Sequence, residues 1–287
     1  MKIVTAVVNN PLFIKIQYYT LKKYFKGSDY EFIVFNDAKD FPDYSNSYDP
    51  SIKQQIIDMC NTLNIRCINI NNNSHTINKC AAARCADAMN YILKYQLEHP
   101  DKYLLLDSDM FLIDEFDINK YAKYDCAVVL QSRFNGAVNY IWNGIYYFDM
   151  HKMINTELLN WDCCQGCDVG GMMQNWLKLQ IDATTMPNTD TIRWTNNKYH
   201  TNTVYFIKHL WSCSWNASEM PESVNKNTYL KQFIQSDPRN TNNKYFCEIY
   251  DDVFLHYRAG GNWRNESMDF HKYLSSLLEQ SLCVNII

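Results

Sequence analysis

Residues 101–111 have the sequence DKYLLLDSDMF, in which an apolar run ends in two aspartates that flank one serine. A short apolar run bounded by a turn signal, here His99-Pro100-Asp101, is typical of an interior strand of an α/β sheet. In open sheets of this class, ligands bind beyond the carboxyl ends of the strands. The stretch therefore predicts a buried strand that carries Asp107 and Asp109 to a ligand-binding edge.

The spacing of the two aspartates indicates a shared ligand. Residues two apart on an extended strand point the same way, so both carboxylates can converge on one hard cation or on the hydroxyl groups of one ligand. Two ionised carboxylates this close are costly unless a cation, a proton or a set of hydrogen-bond donors compensates them. The alternative without a function is a solvated loop that carries two acids.

Two classes of enzyme use an Asp-x-Asp pattern at the end of a strand. In metal-dependent glycosyltransferases that use nucleotide-sugars, it holds a divalent ion that bridges the donor diphosphate. In haloacid-dehalogenase-like phosphatases the first aspartate, here Asp107, is a nucleophile on the first strand of the core. That class has Thr or Val two positions after the second aspartate. Here the position is Phe111, and at least two strand–helix units precede the motif.

Composition and charge narrow the class of protein. The chain has 287 residues, of which 47% are hydrophobic, and this suffices for a sizeable core. We see no linker and therefore expect one domain, residues 1–287. The net charge of −4 and the pI near 6.0 argue against a nucleic-acid partner, which would require a basic face. No apolar run is long enough to span a bilayer.

The N-terminus and the cysteines indicate the compartment. The apolar part of MKIVTAVVNN is too short for a secretory signal, which predicts a cytoplasmic protein. The Asn- and Ile-rich composition is typical of an AT-rich genome, and for a viral chain the compartment would be the host cytoplasm. We expect the eleven cysteines to be reduced. Cys163, Cys164 and Cys167 form half of a zinc motif, and no second pair completes it.

The first hundred residues alternate between strand and helix patterns. Apolar runs predict strands at residues 3–8, 31–35 and 65–70, and helical spacing predicts helices at residues 12–25 and 51–63. This alternation predicts a mostly parallel sheet with right-handed crossovers.

A long helix is predicted at residues 79–97, just before the Asp-x-Asp strand. Arg84 lies in its first turns. It is either a solvated surface residue or a ligand contact near the helix N-terminus, where anions are favoured.

Two features follow the Asp-x-Asp motif. Strands are predicted at residues 126–130 and 140–150, and the second contains Asn143-Gly144. The glycine indicates a bulge or a close approach by a ligand, and the alternative is a plain hairpin turn. Asp168 precedes a helix predicted to run through Gln180, so it either caps that helix or contacts a sugar hydroxyl or a developing positive charge.

The C-terminal part contains a further informative segment at residues 253–264, VFLHYRAGGNWR. An apolar strand ends in His256, two glycines follow, and arginines lie at Arg258 and Arg264. The glycines allow the backbone to approach a ligand, and the arginines suit a charged one. His256 is either a packed structural residue or a third ligand beside the two aspartates, in a site that suits Mn²⁺ or Mg²⁺.

Taken together, these motifs resemble the GT-A-fold glycosyltransferases of the glycogenin and bacterial lipopolysaccharide-galactosyltransferase type. The resemblance covers nearly the whole chain in order: residues 3–8 (the uridine-side strand), Arg84, the Asp-x-Asp pair, Trp142-Asn143-Gly144-Ile145, Asp168, and His256 with Gly260, Gly261 and Trp263. At the C-terminal signature this chain departs from the family. Asn262 stands where the family has a diphosphate-binding Lys, a Pro is missing, and Arg258 or Arg264 would take over that contact.

The resemblance implies a GT-A (Rossmann-like) α/β domain with a mostly parallel central sheet flanked by helices. Residues 1–110 would form the nucleotide-binding half, and residues 111–287 the acceptor half with the metal and diphosphate segment. It implies transfer of a hexose from a UDP-sugar to a hydroxyl of a glycan, free or linked to protein or lipid, with retention. A catalytically idle sugar-binding domain is a further alternative, and a homodimer is left open.

The residues implied for each role are as follows. The metal ligands are Asp107, Asp109 and His256, for Mn²⁺ or Mg²⁺. The donor contacts are Thr5, Val7, Asn9, Arg84, Asp107, Ser108, Asn143, Gly144, Arg258, Gly260, Gly261 and Arg264. The catalytic candidates are Asp168 and Asp252, either of which could deprotonate the acceptor if configuration is inverted.

Overall fold

Strands and helices alternate along the first half of the chain, as the hydrophobic pattern predicts. The computed structural model describes residues 1–41, 49–76, 78–164, 166–180, 193–194, 202–261 and 268–283. Its strands are β1 Lys2–Val7, β2 Phe25–Lys26, β3 Glu31–Asn36, β4 Arg66–Asn69, β5 Lys102–Leu106, β6 Met110–Leu112, β7 Phe116–Asp117, β8 Cys126–Arg133, β9 Val138–Asp149, β10 Arg193–Trp194, β11 Val204–Phe206, β12 His209–Leu210, β13 Glu248–Tyr250 and β14 Phe254–His256. Its helices are α1 Pro11–Tyr24, α2 Ile52–Leu63, α3 Ala81–Glu98, α4 Asn119–Ala122, α5 Gln174–Gln180, α6 Glu222–Asn225, α7 Thr228–Ser236 and α8 Met268–Cys283.

The central sheet has the strand order β10-β11-β8-β9-β5-β1-β3-β4. Within the described residues, β1, β3, β4, β5, β8 and β11 point the same way, while β9 and β10 run against them. The predicted α/β class, with a mostly parallel sheet flanked by helices, is therefore confirmed. The carboxyl ends of the six aligned strands meet at one edge, where β5 delivers the Asp-x-Asp motif.

Both faces of this sheet are covered, which is why its strands are continuous apolar runs. One core contains Val4, Leu105 and the inner face of α3, and the other contains Ile3, Leu104 and residues of α1 and α2. Neighbouring residues of one strand thus belong to different cores.

A second, antiparallel sheet has the order β12-β13-β14-β6. Its strand β6 begins immediately after Asp109 and pairs with β14, with Met110 opposite His256. Helices α1, α7 and α8 pack with it in a third core. The turn between the two sheets is therefore the place where the Asp-x-Asp motif meets the C-terminal part of the chain.

Strand β9 runs unbroken through Asn143-Gly144, so the hairpin alternative at these residues is wrong and the bulge is confirmed. The pairing register between β8 and β9 shifts between Val128 and Val129, opposite Tyr146 and Trp142. A Cβ on Gly144 would lie 2.0 Å from the Trp142 ring. The bulge brings the ring against this backbone, and glycine makes room for it.

The helix predicted through Gln180 begins later than the sequence indicates. A 3₁₀ turn, Gly171–Met173, precedes α5, and Asp168 lies before it. The sequence gives no prediction for α7, α8 or β13. Among the described residues, no helix is both long and apolar enough to cross a membrane.

Candidate active site

The turn between β5 and β6 holds the two aspartates in place. The backbone N–H of Asp107 donates to the carbonyl of Gly144 on the neighbouring strand, at 2.7 Å. From α1, the buried side chain of Gln17 donates to the carbonyls of Asp107 and Met110, at 2.7 and 3.0 Å. The turn is thus fixed from both sides before any ligand binds.

The pairing of β6 with β14 brings His256 to this turn. One ligand atom each from Asp107, Asp109 and His256 lie within 4.8 Å of one another. His256 Nε2 is 3.1 Å from Asp109 Oδ1, and the other oxygen of Asp109 accepts from the N–H of Gly260 at 2.8 Å. Asp109 and His256 are buried, and Asp107 is partly exposed. The three residues predicted as metal ligands therefore lie together.

The charges of this cluster are unevenly compensated. Burial, together with the negative charge of Asp109, raises the pKa of Asp107 to about 7. Burial alone would also raise the pKa of Asp109, but the neighbouring His256 holds it below its ordinary value. For His256, burial opposes the charged form, yet Asp109 and Glu248 raise its pKa to about 10. Without another cation, the imidazolium of His256 carries the compensating positive charge.

The donor set suits a divalent cation. Two carboxylates and one imidazole are ligands that Mn²⁺ accepts readily, and Mg²⁺ favours the carboxylates. The raised pKa of Asp107 identifies a carboxylate whose charge the protein does not compensate fully. A bound divalent cation would supply the missing positive charge, so the residues present fit such an ion.

A cavity of about 1190 Å³ extends from the cluster along the strand ends. Its lining contains residues from the ends of β1, β3, β5, β8 and β11. Of the predicted site residues, it contains Arg84, Asp107, Ser108, Asp109, Asn143, Asp168, His256, Arg258 and Gly261. Its volume exceeds the range of roughly 300–1,000 Å³ that is usual for a small-molecule site.

Other predicted residues lie beside the cavity without lining it. On β1 the lining residues are Ala6 and Val8, whereas Thr5 and Val7 are fully buried. Successive residues of a strand face opposite sides, so the predicted contacts are one position out of phase with the lining. The Asn9 side chain instead donates to the carbonyl of Gly261 and joins the two segments.

The glycines act through the backbone. Gly144 makes room for the Trp142 ring, and a Cβ on Gly260 would lie 2.5 Å from the Tyr257 ring. The N–H of Gly260 binds Asp109 rather than the cavity. Of the two C-terminal glycines, Gly261 therefore provides backbone at the cavity wall.

The two catalytic candidates differ in position. Asp168 is exposed in the cavity wall, and its carboxylate accepts from the N–H of Val169 at 2.8 Å. Asp252 is outside the lining, and its half-exposed side chain lies 3.5 Å from Lys208 Nζ. The register explains this. Glu248 pairs with His256 at the open end of the β13–β14 hairpin, which puts the Asp252 turn roughly 10 Å further along.

The predicted arginines also differ. Arg84 is buried, which overturns the solvated alternative, and it donates to the carbonyl of Thr76 at 3.4 Å. Arg258 is half exposed at the cavity wall and donates to Ser212 Oγ at 3.1 Å. Arg264 lies outside the described residues, as do Asn262 and Trp263.

Several cavity residues are absent from the prediction. Asp37 and Lys39 follow β3, and they pair with each other in the wall beside β1. Glu248 lies behind His256, with its Oε2 2.8 Å from His256 Nδ1. The position of Asp37 at the end of a predicted strand was a usable signal. The sequence around Glu248 offers none.

Comparisons with known proteins yield partial structural similarities. No family model matches the chain, and no curated protein does. An active-site mutant of LgtC aligns with a TM-score of 0.37 at 16% identity, over 53% of this chain and 58% of that one. The galactosyltransferase LgtC in complex with donor and acceptor sugar analogs gives 0.36 at 16%, over 52% and 58%. TarS of S. aureus gives 0.29 at 18%, over 45% and 21%. The chain thus matches less than two thirds of the length of each.

Proposed function

We propose that the protein is a metal-dependent glycosyltransferase that moves a hexose from a UDP-sugar to a hydroxyl of a glycan acceptor, free or linked to protein or lipid. The observation that carries this proposal is the meeting of Asp107, Asp109 and His256 at the wall of a large cavity at the strand ends. In open α/β sheets this edge is where ligands bind. We further infer that residues 1–287 act as one domain.

The metal site suits a diphosphate leaving group. A divalent cation held by Asp107, Asp109 and His256 would act as a Lewis acid on that group. The half-exposed guanidinium of Arg258 is the described basic group nearest to His256 in sequence, and it can bind phosphate oxygens by charge-assisted hydrogen bonds. Gly261 leaves space for a ligand at the backbone.

The remaining cavity residues fit the two sugars. Asn143 and Asp168 lie in the wall across the strand ends from Asp37 and Lys39, so they can contact a sugar whose nucleotide extends towards β1 and β3. We propose that transfer retains configuration and that the Asp168 carboxylate contacts the donor sugar or stabilises its positive charge. If configuration is inverted, Asp168 is the better placed of the two predicted bases, since Asp252 lies outside the lining.

The test is donor hydrolysis. The protein, loaded with Mn²⁺ and given a panel of nucleotide-sugars, is expected to release UDP from at least one UDP-sugar, and EDTA should abolish the release. Asp107→Asn is the inactive control. UDP binding without any hydrolysis or transfer would favour the idle sugar-binding alternative. Hydrolysis of p-nitrophenyl phosphate that disappears in Asp107→Asn would instead favour a phosphatase with Asp107 as its nucleophile.

A further inference from the structure

Glu248 contacts the His256 ring on the side away from the aspartates. It lies on β13 directly opposite His256 on β14, and 4% of it is exposed. Its Oε2 is 2.8 Å from His256 Nδ1, while the other ring nitrogen faces Asp109 at 3.1 Å. The imidazole is therefore held at both nitrogens, by Glu248 on one side and by the cluster on the other.

Other donors fix Glu248 itself. Tyr250 donates its hydroxyl to Oε2 at 2.8 Å, and the N–H of Ser212 donates to Oε1 at 3.2 Å. Arg258 Nε lies 3.8 Å from Oε1. Both carboxylate oxygens thus have protein partners, and Glu248 is not part of the Asp107, Asp109 and His256 group. A carboxylate held so firmly behind an imidazole can orient the ring.

Ring orientation matters because the two nitrogens of histidine have different tasks. When a cation replaces the proton on Nε2, a carboxylate at Nδ1 keeps the remaining proton there and leaves the Nε2 lone pair for the cation. Histidines that bind metals commonly donate their other N–H to such a carboxylate, which fixes the tautomer and increases the basicity of the ligand. In this protein, that arrangement directs Nε2 towards Asp107 and Asp109.

We propose that Glu248 is a positioning residue for the metal site: it holds His256 so that Nε2 binds the cation. This inference rests on the metal site of the proposed function, and it adds a residue that neither the sequence pattern nor the resemblance assigns. The role differs from plain stabilisation, because it concerns the affinity for the ion and not the folded state alone.

The experiment measures Mn²⁺ affinity without nucleotide, by titration of free Mn²⁺ with electron paramagnetic resonance. Glu248→Ala is expected to weaken binding by roughly 10–100-fold, as is typical of such partners. Glu248→Gln keeps an oxygen that can accept from Nδ1–H and loses the charge, so its loss should be smaller. Tyr250→Phe, which removes one donor to Glu248, should have the smallest effect.

Stability is measured in parallel. Asp149→Ala is the matched control. Like Glu248, Asp149 is a buried carboxylate, but it lies at the C-terminal end of β9 and pairs with Lys152. It should lower the melting temperature and leave Mn²⁺ affinity unchanged. At saturating Mn²⁺, donor hydrolysis by Glu248→Ala should recover most of the wild-type kcat, since the defect lies in the metal requirement.

The outcomes separate this inference from the proposed function. Equal Mn²⁺ affinity in wild type, Glu248→Ala and Glu248→Gln would overturn the positioning role and leave the transferase proposal standing. Wild-type protein that binds Mn²⁺ with the expected order of variants, and yet transfers no sugar, would support the role and overturn the transferase. Wild-type protein that binds no Mn²⁺ would overturn both. If Glu248→Ala does not fold, Glu248→Gln and Tyr250→Phe decide the result.

Discussion

Two acidic clusters lie at the carboxyl ends of β3 and β5, the parallel strands on either side of β1, and they are compensated in different ways. After β3, the buried carboxylate of Asp37 pairs with the buried ammonium of Lys39 and accepts from the Asn72 side chain at 3.1 Å. After β5, Asp107 has the backbone N–H of Ser108 at 2.7 Å and a second carboxylate beside it. Asp37 is thus matched by a lysine, whereas the positive charge beside Asp107 and Asp109 comes from the imidazolium of His256.

The two histidines show the same difference. His75 lies 3.9 Å from Asp37, and burial together with the charge of Lys39 lowers its pKa. His256 lies 3.1 Å from Asp109, and the carboxylates around it overcome burial and raise its pKa to about 10. Beside Asp37, burial and the charge of Lys39 outweigh the nearby carboxylates and lower the pKa of the histidine, whereas beside Asp109 two carboxylates outweigh burial and raise it. The Asp107 cluster, rather than the Asp37 cluster, is therefore the one that we propose as the ligand site.

The largest expected effect tests the Asp37 cluster. Lys39→Met leaves a buried carboxylate without its cation, so the free energy of unfolding should fall by about 3–5 kcal/mol. The double variant Asp37→Asn/Lys39→Met should recover part of this loss, since it removes both charges together. Urea unfolding of Asp37→Asn, Lys39→Met and the double variant measures the coupling between the two residues.

The matched control is an ion pair between β3, the strand that precedes Asp37, and its neighbour β4. Glu31 and Arg66 pair at 3.5 Å on the surface, where both side chains are about half exposed. Arg66→Met should therefore cost at most about 1 kcal/mol. Equal losses in Lys39→Met and Arg66→Met would show that the Asp37 cluster does not stabilise the fold, and the contrast between the clusters would fail.

The second effect tests the Asp107 cluster. Asp109→Asn should weaken Mn²⁺-dependent binding of UDP on the order of 100-fold, because loss of a ligand should cost at least as much as loss of a partner behind one. This corresponds to about 2.7 kcal/mol. The measurement is calorimetric titration of UDP with and without Mn²⁺. Asp114→Asn, an acid just past β6 that pairs with Lys226, is the control. Unchanged UDP affinity in Asp109→Asn would remove the metal site.

How much of this the sequence predicts depends on how local each feature is. The strand that ends in Asp107 and Asp109 is predictable from eleven consecutive residues, and the class of the sheet follows from the alternation before it. Which residues of β1 face the cavity is not predictable. A strand covered on both sides is apolar throughout, so its sequence does not show which residues point to which side. For this reason the prediction names Thr5 and Val7, whereas Ala6 and Val8 line the cavity.

The residues that surround and compensate each acidic cluster are even further away along the chain. Asp37 depends on Asn72 and His75, which reach it because the next strand, β4, pairs beside β3. Glu248 reaches His256 through a three-residue strand whose register the sequence does not specify. Both networks arise from tertiary pairing, so a pattern read along the chain predicts Asp107, Asp109 and His256, which lie together, and not the residues that hold them.

The smallest expected effect is a pH dependence that differs in sign between the two histidines. For His256 the folded pKa, about 10, lies above the unfolded value near 6.5. Its contribution to stability is therefore complete below pH 6.5 and is lost as pH rises towards 10. For His75 the folded pKa is lowered, so its contribution is present above pH 6.5 and is lost as pH falls below that value.

In EDTA, the free energy of unfolding of the wild type should thus fall by about 1 kcal/mol per pH unit between pH 7 and 9, relative to His256→Gln. His75→Gln should keep this alkaline loss and show a smaller loss than the wild type below pH 6.5. Urea unfolding at four or five pH values measures both the alkaline loss due to His256 and the acid loss due to His75. Saturating Mn²⁺ should remove the alkaline difference, because the cation then replaces the proton on His256 as the compensating charge. Parallel pH profiles for the wild type and His256→Gln in EDTA would mean that His256 is not an imidazolium between Asp109 and Glu248. The negative charge of the Asp107 cluster would then need another source of compensation.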